Sequence, residues 1–203
     1  MMQKKRTRAE ELAITRRKIL NTARDLFMEK GYRAVSTREI ANRVNITQPA
    51  LYHHFEDKEA LYIEVVRELT QQIQIEMHPL LQSTKPKEEQ LRDMLIMLIE
   101  KHPTNILLMI HDILNEMKPE NQYLLYQLWQ QTYLIPFQEF FQKQEAAGEL
   151  REGVSAEVAA RYCLATISPL FSGKSEFAEK QTTTERMEEL IDLMMFGISK
   201  KEV

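Results

Sequence analysis

The sequence predicts an all-α protein, with an N-terminal three-helix helix-turn-helix domain, a larger C-terminal helical domain and about nine helices. Apolar residues recur every three or four positions instead of alternating, and glycine occurs only 5 times in 203 residues, so strand and hairpin signals are nearly absent. Charge is also unevenly divided. Residues 1–60 carry 13 Lys/Arg against 8 Asp/Glu, a net +5, and the remaining 143 carry 14 against 22, a net −8. A basic region beside an acidic body suits a polyanion partner, although solvated helix faces carry such an excess too.

A chain of this length buries roughly 70% of its extended surface on folding, so neither metal nor disulfide is required for stability. Its single cysteine, Cys163, excludes an intrachain disulfide and fits a reducing cytoplasm. The N-terminus, MMQKKRTRAEELAITRRK, is charged with no apolar stretch behind it, so no signal peptide is expected. Apolar runs such as 106–110 fall far short of the roughly 20 residues that span a bilayer. The expectation is a soluble, cytoplasmic protein with no membrane partner.

The first helix is expected over 9–30. Ile19, Leu20, Ala23, Leu26 and Phe27 form one stripe, and Gly31 follows where a C-terminal cap is wanted. Ser36-Thr37-Arg38-Glu39 has the capping-box form, and Ile40, Ala41 and Val44 give the second helix an inward face. Asn45-Ile46 makes a turn. Thr47 caps a third helix, with Pro49 early in it, that ends near Phe55. Asp57 caps a fourth helix from Lys58 towards His78, with Pro79 marking its end. Longer amphipathic helices are expected at 87–101, 104–117, 120–146, 155–171 and 183–199. Breaks at Pro86, Pro103, Pro119, 148–153 and 173–181 separate them. The domains divide as 9–56 and 57–200.

Two short helices around a tight turn, behind a longer supporting helix, make a helix-turn-helix unit. Such a unit packs its second helix through one face and offers the other to a major groove. In 48–55 the inward positions are Leu51 and Phe55, which leaves Gln48, Ala50, Tyr52, His53 and His54 outward or at the edges. Glutamine, tyrosine and two histidines suit bases and phosphates.

The segment EKGYRAVSTREIANRVNITQPALYHHFEDKEALY, residues 29–62, resembles the N-terminal signature of the TetR family of transcriptional regulators. Gly31-Tyr32, Ile40-Ala41, Leu51-Tyr52, His54-Phe55 and Lys58-Glu59 stand at the family's spacings; the rest of the chain is similar only in length and helical character. The resemblance implies a homodimeric repressor that reads double-stranded operator DNA and is released by a small, largely apolar effector, with roles at matching positions. Ser36 and Thr37 would grip phosphate at a helix N-terminus. Arg38 would reach a guanine, Gln48 would pair with adenine, and Pro49 and Ala50 would meet a thymine methyl. Thr47, Tyr52 and His54 belong to the same DNA-facing set, Tyr52 and His54 at phosphate positions, and Lys58 would anchor the backbone. His53 departs from the family's aromatic residue and has no assigned role. Ser36 also reads as a plain helix cap, Arg38 and Lys58 as solvated charges, and Tyr52 as partly core. The basic stretch Lys4, Lys5, Arg6, Arg8 reads as either a DNA arm or a solubilising tail.

The resemblance also implies a small-molecule effector bound in the C-terminal region, which dimerises. Met94, Met97, Met109, Tyr126, Trp129, Tyr133, Phe137, Phe140, Tyr162 and Cys163 supply adaptable apolar surface for a pocket or for an ordinary core. His111-Asp112 interrupts an apolar run, to orient a polar ligand group or to make a structural hydrogen bond. Pro136 inside the seventh helix removes one backbone bond. Met187, Leu190, Ile191, Met194 and Ile198, with Val158, Tyr162, Ala165, Thr166 and Pro169, form stripes suited to a two-fold four-helix interface or to packing within the subunit. No cofactor or metal is expected, and an enzyme is disfavoured: Glu-x-x-His, HExxH, GxSxG and phosphate-cradling glycine motifs are all missing from the sequence.

Overall fold

The computed structural model describes residues 7–101, 106–171 and 183–198. Nine helices follow one another in these residues, with no strand among them. They are α1 (Arg8–Lys30), α2 (Thr37–Val44), α3 (Gln48–Tyr52), α4 (Lys58–Leu81), α5 (Lys87–Lys101), α6 (Ile106–Glu116), α7 (Pro119–Trp129, then Gln130–Leu134 and Ile135–Ala146), α8 (Ala156–Phe171) and α9 (Thr183–Ile198). The all-α class predicted from periodicity is borne out. The contacts divide the chain into two compact units, the described residues of Met1–Glu68 with His111–Leu125, and those of Leu69–Ile110 with Tyr126–Val203. Helices α4, α6 and α7 contribute residues to both.

In the first unit α1 begins at a complete capping box: Thr7 Oγ1 accepts from Glu10 N at 3.2 Å, and Glu10 Oε2 accepts from Thr7 N at 2.7 Å. Its apolar stripe of Ile19, Leu20, Ala23, Leu26 and Phe27 is buried with Ile40, Ala41, Leu51, Phe55, Leu61 and Val65. Phe27, Tyr32 and Tyr62 form an aromatic cluster, with Tyr62 edge-on to both neighbours at 5.1 Å. Asp57 caps α4 through a 2.7 Å bond accepted from Ala60 N, as its position before Lys58 predicts.

In the second unit α4 runs past its expected end. Pro79 lies inside the helix, which stops only after Leu81. A proline in the last turn costs one backbone bond. The terminal carbonyls find side-chain donors: Gln90 Nε2 reaches Leu80 O at 2.8 Å and Leu81 O at 3.1 Å, and Lys143 Nζ reaches Leu81 O at 2.9 Å. Pro136 is accommodated differently. The turn immediately before it, Gln130–Leu134, is wound as a π-helix, and Ile135 N donates to Gln130 O. The i→i+5 pattern inserts one extra residue just where proline would otherwise break the α ladder. Beyond it Phe137, Phe140 and Phe141 are buried against α8.

Candidate nucleic-acid interface

The reader is built from three local signals. Gly31, at φ 80°, ends α1 and donates its N–H to Phe27 O at 2.9 Å. Ser36 then caps α2, its Oγ accepting from Glu39 N at 3.1 Å. Glu39 takes a 2.7 Å ion pair from Lys30, which holds its carboxyl below the ordinary range. Helix α2 ends on Asn45 in the left-handed region (φ 61°), a conformation asparagine tolerates, and Ile46 N closes the turn on Ala41 O at 3.0 Å. Thr47 caps α3 through Ala50 N at 3.3 Å, and Pro49 sits in its first turn.

This framework fixes which side chains face out. Leu51 and Phe55 are buried, as their spacing predicts. Ser36, Arg38, Thr47, Pro49, Tyr52 and His53 are exposed; Gln48, Ala50, His54 and Lys58 are half-buried. Tyr52 is 44% exposed. Thr37 differs from the others. Its side chain is buried, its Oγ1 lies 3.0 Å from the Tyr52 hydroxyl, and Gln48 Nε2 donates to it at 2.9 Å. The hydroxyl expected to grip phosphate is thus engaged in bracing two other members of the predicted set.

Electrostatics tune the rim. Burial, with help from Arg16 and His53, pushes the His54 imidazole below its usual pKa. Lys58 Nζ stands 4.1 Å from the centre of the Tyr32 ring, a cation–π contact. Burial lowers its pKa, and the carboxylates of Asp112 and Glu116 work against that. Arg16 lies 4.7 Å from the Phe55 ring centre and pairs with Glu64 at 3.2 Å.

The expected domain division at 56/57 leaves out the stretch 111–125, which two acidic pins tie to the rest of the first unit. Asp112, buried, accepts from Tyr32 N at 2.8 Å. Glu59, also buried, accepts from Lys118 N at 2.9 Å and Asn121 Nδ2 at 2.7 Å. The interruption of an apolar run at His111-Asp112 was the available signal for the first. The second had none, because its partners lie 59 and 62 residues away.

The remaining predicted positions divide clearly. Met94, Met97, Met109, Trp129, Tyr133 and Phe137 are buried in the second unit and Tyr126 is half-buried, stacked on Trp129 at 5.6 Å. His111 is a correction: it belongs to the first unit and its side chain is 62% exposed, because the helix turns Asp112 inward instead. Tyr162 is 47% exposed, so it does not line the interior. A second correction concerns α9. Met187, Ile191 and Met194 are buried within the chain itself and Leu190 is half-buried, so the expected interface stripe is mostly core. The outward apolar residues on α8 and α9 are Val158, Tyr162, Leu193 and Phe196, the last two missed from the sequence, with Ala165 exposed beside them on α8. The side chains of Ile198 and Pro169, and residues Lys4, Lys5 and Arg6, lie outside the described residues.

A capped α2, a left-handed turn and a short α3 with an outward polar face define a helix-turn-helix DNA-binding protein. Residues 19–65 match the family described as "Bacterial regulatory proteins, tetR family". The Transposon Tn10 TetC protein of Escherichia coli is 43% identical over 60 residues, 30% of this chain and 30% of that one. The chain thus spans about a third of the length of the curated relatives it matches, which include transcriptional repressors and an activator. Two solved structures extend the likeness to the whole fold. The ketosteroid transcriptional regulator KstR2 of Mycobacterium tuberculosis has a TM-score of 0.72 at 20% identity, covering 92% of this chain and 95% of that one. AibR in complex with isovaleryl coenzyme A and operator DNA has a TM-score of 0.71 at 22% identity, covering 91% and 99%. Residues 19–65 are thus similar to the tetR family of regulatory proteins, and the described chain shares the fold of these two solved regulators.

Proposed function

We propose that this chain is a cytoplasmic, homodimeric transcriptional repressor that binds double-stranded operator DNA and is released by a small, largely apolar effector held in the second unit. The observation that carries the reading is the outward face of α2–α3: Ser36, Arg38, Pro49, Tyr52 and His53 are exposed, and Gln48 and Tyr52 are braced on the buried Thr37. Hydroxyls and helix N-termini suit phosphate, and a guanidinium and a carboxamide suit base edges.

Dimerisation supplies the second reader. The exposed apolar side chains of Val158, Tyr162, Leu193 and Phe196 on α8 and α9 favour pairing through these helices. A two-fold dimer would bind half-sites about 34–36 Å apart. AibR, the structural relative solved with isovaleryl coenzyme A and operator DNA, supports an effector-responsive reading. An effector releases DNA only by its differential affinity for the bound and free conformations.

The test is footprinting of the purified chain on the DNA upstream of its own gene at low salt. Protection of a two-fold symmetric site is expected, weakening as salt rises. An unprotected upstream region would overturn the reading.

A further inference from the structure

Among the described residues of the second unit, the buried donors Trp129 Nε1 and Tyr133 Oη, like Arg92 Nε on α5, have no hydrogen-bond partner. The indole Nε1 of Trp129 and the hydroxyl of Tyr133 are shut off from solvent, and no described polar group lies within bonding distance of either. Trp129 is the last residue before the π-helical turn and Tyr133 lies within it. Residues four apart on a helix share a face, with Cβ atoms about 5–6 Å apart. Thr132, buried on the same turn, shows how such a group is ordinarily satisfied: Gln74 Nε2 donates to it at 3.0 Å. A buried donor left unbonded is costly, and native proteins rarely keep one without a use. Single π turns are themselves enriched at functional sites. Burial pushes the Tyr133 hydroxyl far above its ordinary pKa, so at neutral pH it is a donor and not a phenolate.

We propose that Trp129 and Tyr133 form the polar end of the effector site and that they take a neutral acceptor: the carbonyl oxygen of a ketone, ester or thioester on a largely apolar molecule. This rests on the effector-responsive reading above and adds the chemistry of the ligand. One carbonyl oxygen has two lone pairs and can accept from both donors at once. A carboxylate would sit there without a countercharge, a heavily penalised arrangement. Four described cations of this unit have partners of their own: Lys143 bonds Leu81 O, and Arg161, Lys85 and Lys87 pair with Glu157, Asp93 and Glu149. The π turn packs on α8, whose buried Ala160, Cys163 and Ile167 are apolar.

Trp129 is the only tryptophan in the chain, so selectively excited tryptophan emission reports on this position alone. The full-length protein is titrated with 2-octanone, methyl octanoate and cyclododecanone, and with octane and octanoate as comparators. At least one carbonyl probe is expected to change the emission saturably, with about tenfold higher affinity than octane or octanoate, and Tyr133→Phe to lose about tenfold. The melting temperature of the free Tyr133→Phe protein is not expected to fall. Flat titrations with all three carbonyl probes overturn the proposal, as do equal affinity for octane, undiminished binding by Tyr133→Phe, or a lowered melting temperature in that variant. Footprinting in parallel separates the two claims. Protected DNA with flat emission removes the carbonyl site alone, whereas an emission response without protected DNA removes the regulator reading and leaves the site standing.

Discussion

The hydroxyl of Thr37 on α2 lies 3.0 Å from the hydroxyl of Tyr52 on α3, and the same oxygen accepts from Gln48 Nε2 at 2.9 Å. One buried atom thereby sets the pose of two outward side chains from the neighbouring helix. Thr37→Val keeps the shape and removes the oxygen. We expect operator affinity to fall by about tenfold, or ~1.4 kcal/mol, with weaker discrimination at the base Gln48 reads and an unchanged melting profile. Fluorescence anisotropy on matched and single-mismatch duplexes measures both. Equal binding of all duplexes by variant and parent would remove Thr37 from the reading apparatus.

Glu59 is buried and accepts from Lys118 N and Asn121 Nδ2. Glu59→Ala leaves both donors without their acceptor, so a loss of about 2–3 kcal/mol in urea unfolding is expected. A loss below about 0.5 kcal/mol, the range of ordinary surface substitutions, would show that the pin is dispensable.

The pKa of Asp112 is shifted in the opposite direction from that of the ion-paired Glu39. Burial raises its pKa above the ordinary 3.8, against the lowering effect of the Tyr32 N–H. The folded state therefore holds a proton more tightly than the unfolded chain. This group's favourable contribution is full below its unfolded pKa and fades as pH rises through the folded value. Asp112→Asn, which keeps an acceptor for Tyr32 N, should flatten that slope and leave neutral-pH stability equal or higher. Asp112→Ala, which keeps none, should lose about 1–2 kcal/mol. Urea midpoints from pH 3 to 7 decide the matter; an unaltered pH slope in Asp112→Asn would contradict the assignment.

Lys58 sits over the Tyr32 ring, half-buried, at the start of α4. If its ammonium neutralises one phosphate per subunit, Lys58→Ala reduces the log–log salt slope by about 0.9 for each subunit bound. Affinities at four salt concentrations suffice, and an unchanged slope removes Lys58 from the contact set.

Phe196 is 59% exposed on α9, and Val158 is 54% exposed on α8. Phe196→Glu is expected to shift the protein from dimer to monomer in sedimentation while keeping its helical spectrum, and to weaken operator binding by at least about a hundredfold. A dimer that survives both Phe196→Glu and Val158→Glu would place the subunit contact elsewhere.

Most of the reader was legible because its determinants are local. Caps at Ser36, Thr47 and Asp57 and inward Leu51 and Phe55 each follow from a few neighbouring residues. The misread features depend on distant partners or on helix phase. Nothing near Pro79 announces that Gln90 and Lys143 will bond the carbonyls of a longer α4. On α9 the apolar residues extend round more than one face, so periodicity could not separate the buried Met187, Ile191 and Met194 from the exposed Leu193 and Phe196. At Pro136 a lost bond with a kink or a freed carbonyl is legible but the π turn is not, since sequence does not show where an extra residue enters a helix.

The return of residues 111–125 to the first unit bears on protein engineering. A fragment cut after Glu68 would leave the Tyr32 amide and the Glu59 carboxylate without their native partners. The reader is therefore not a detachable cassette of consecutive residues. A chimera that borrows it must import both stretches, or redesign the recipient so that its own sequence answers these two groups.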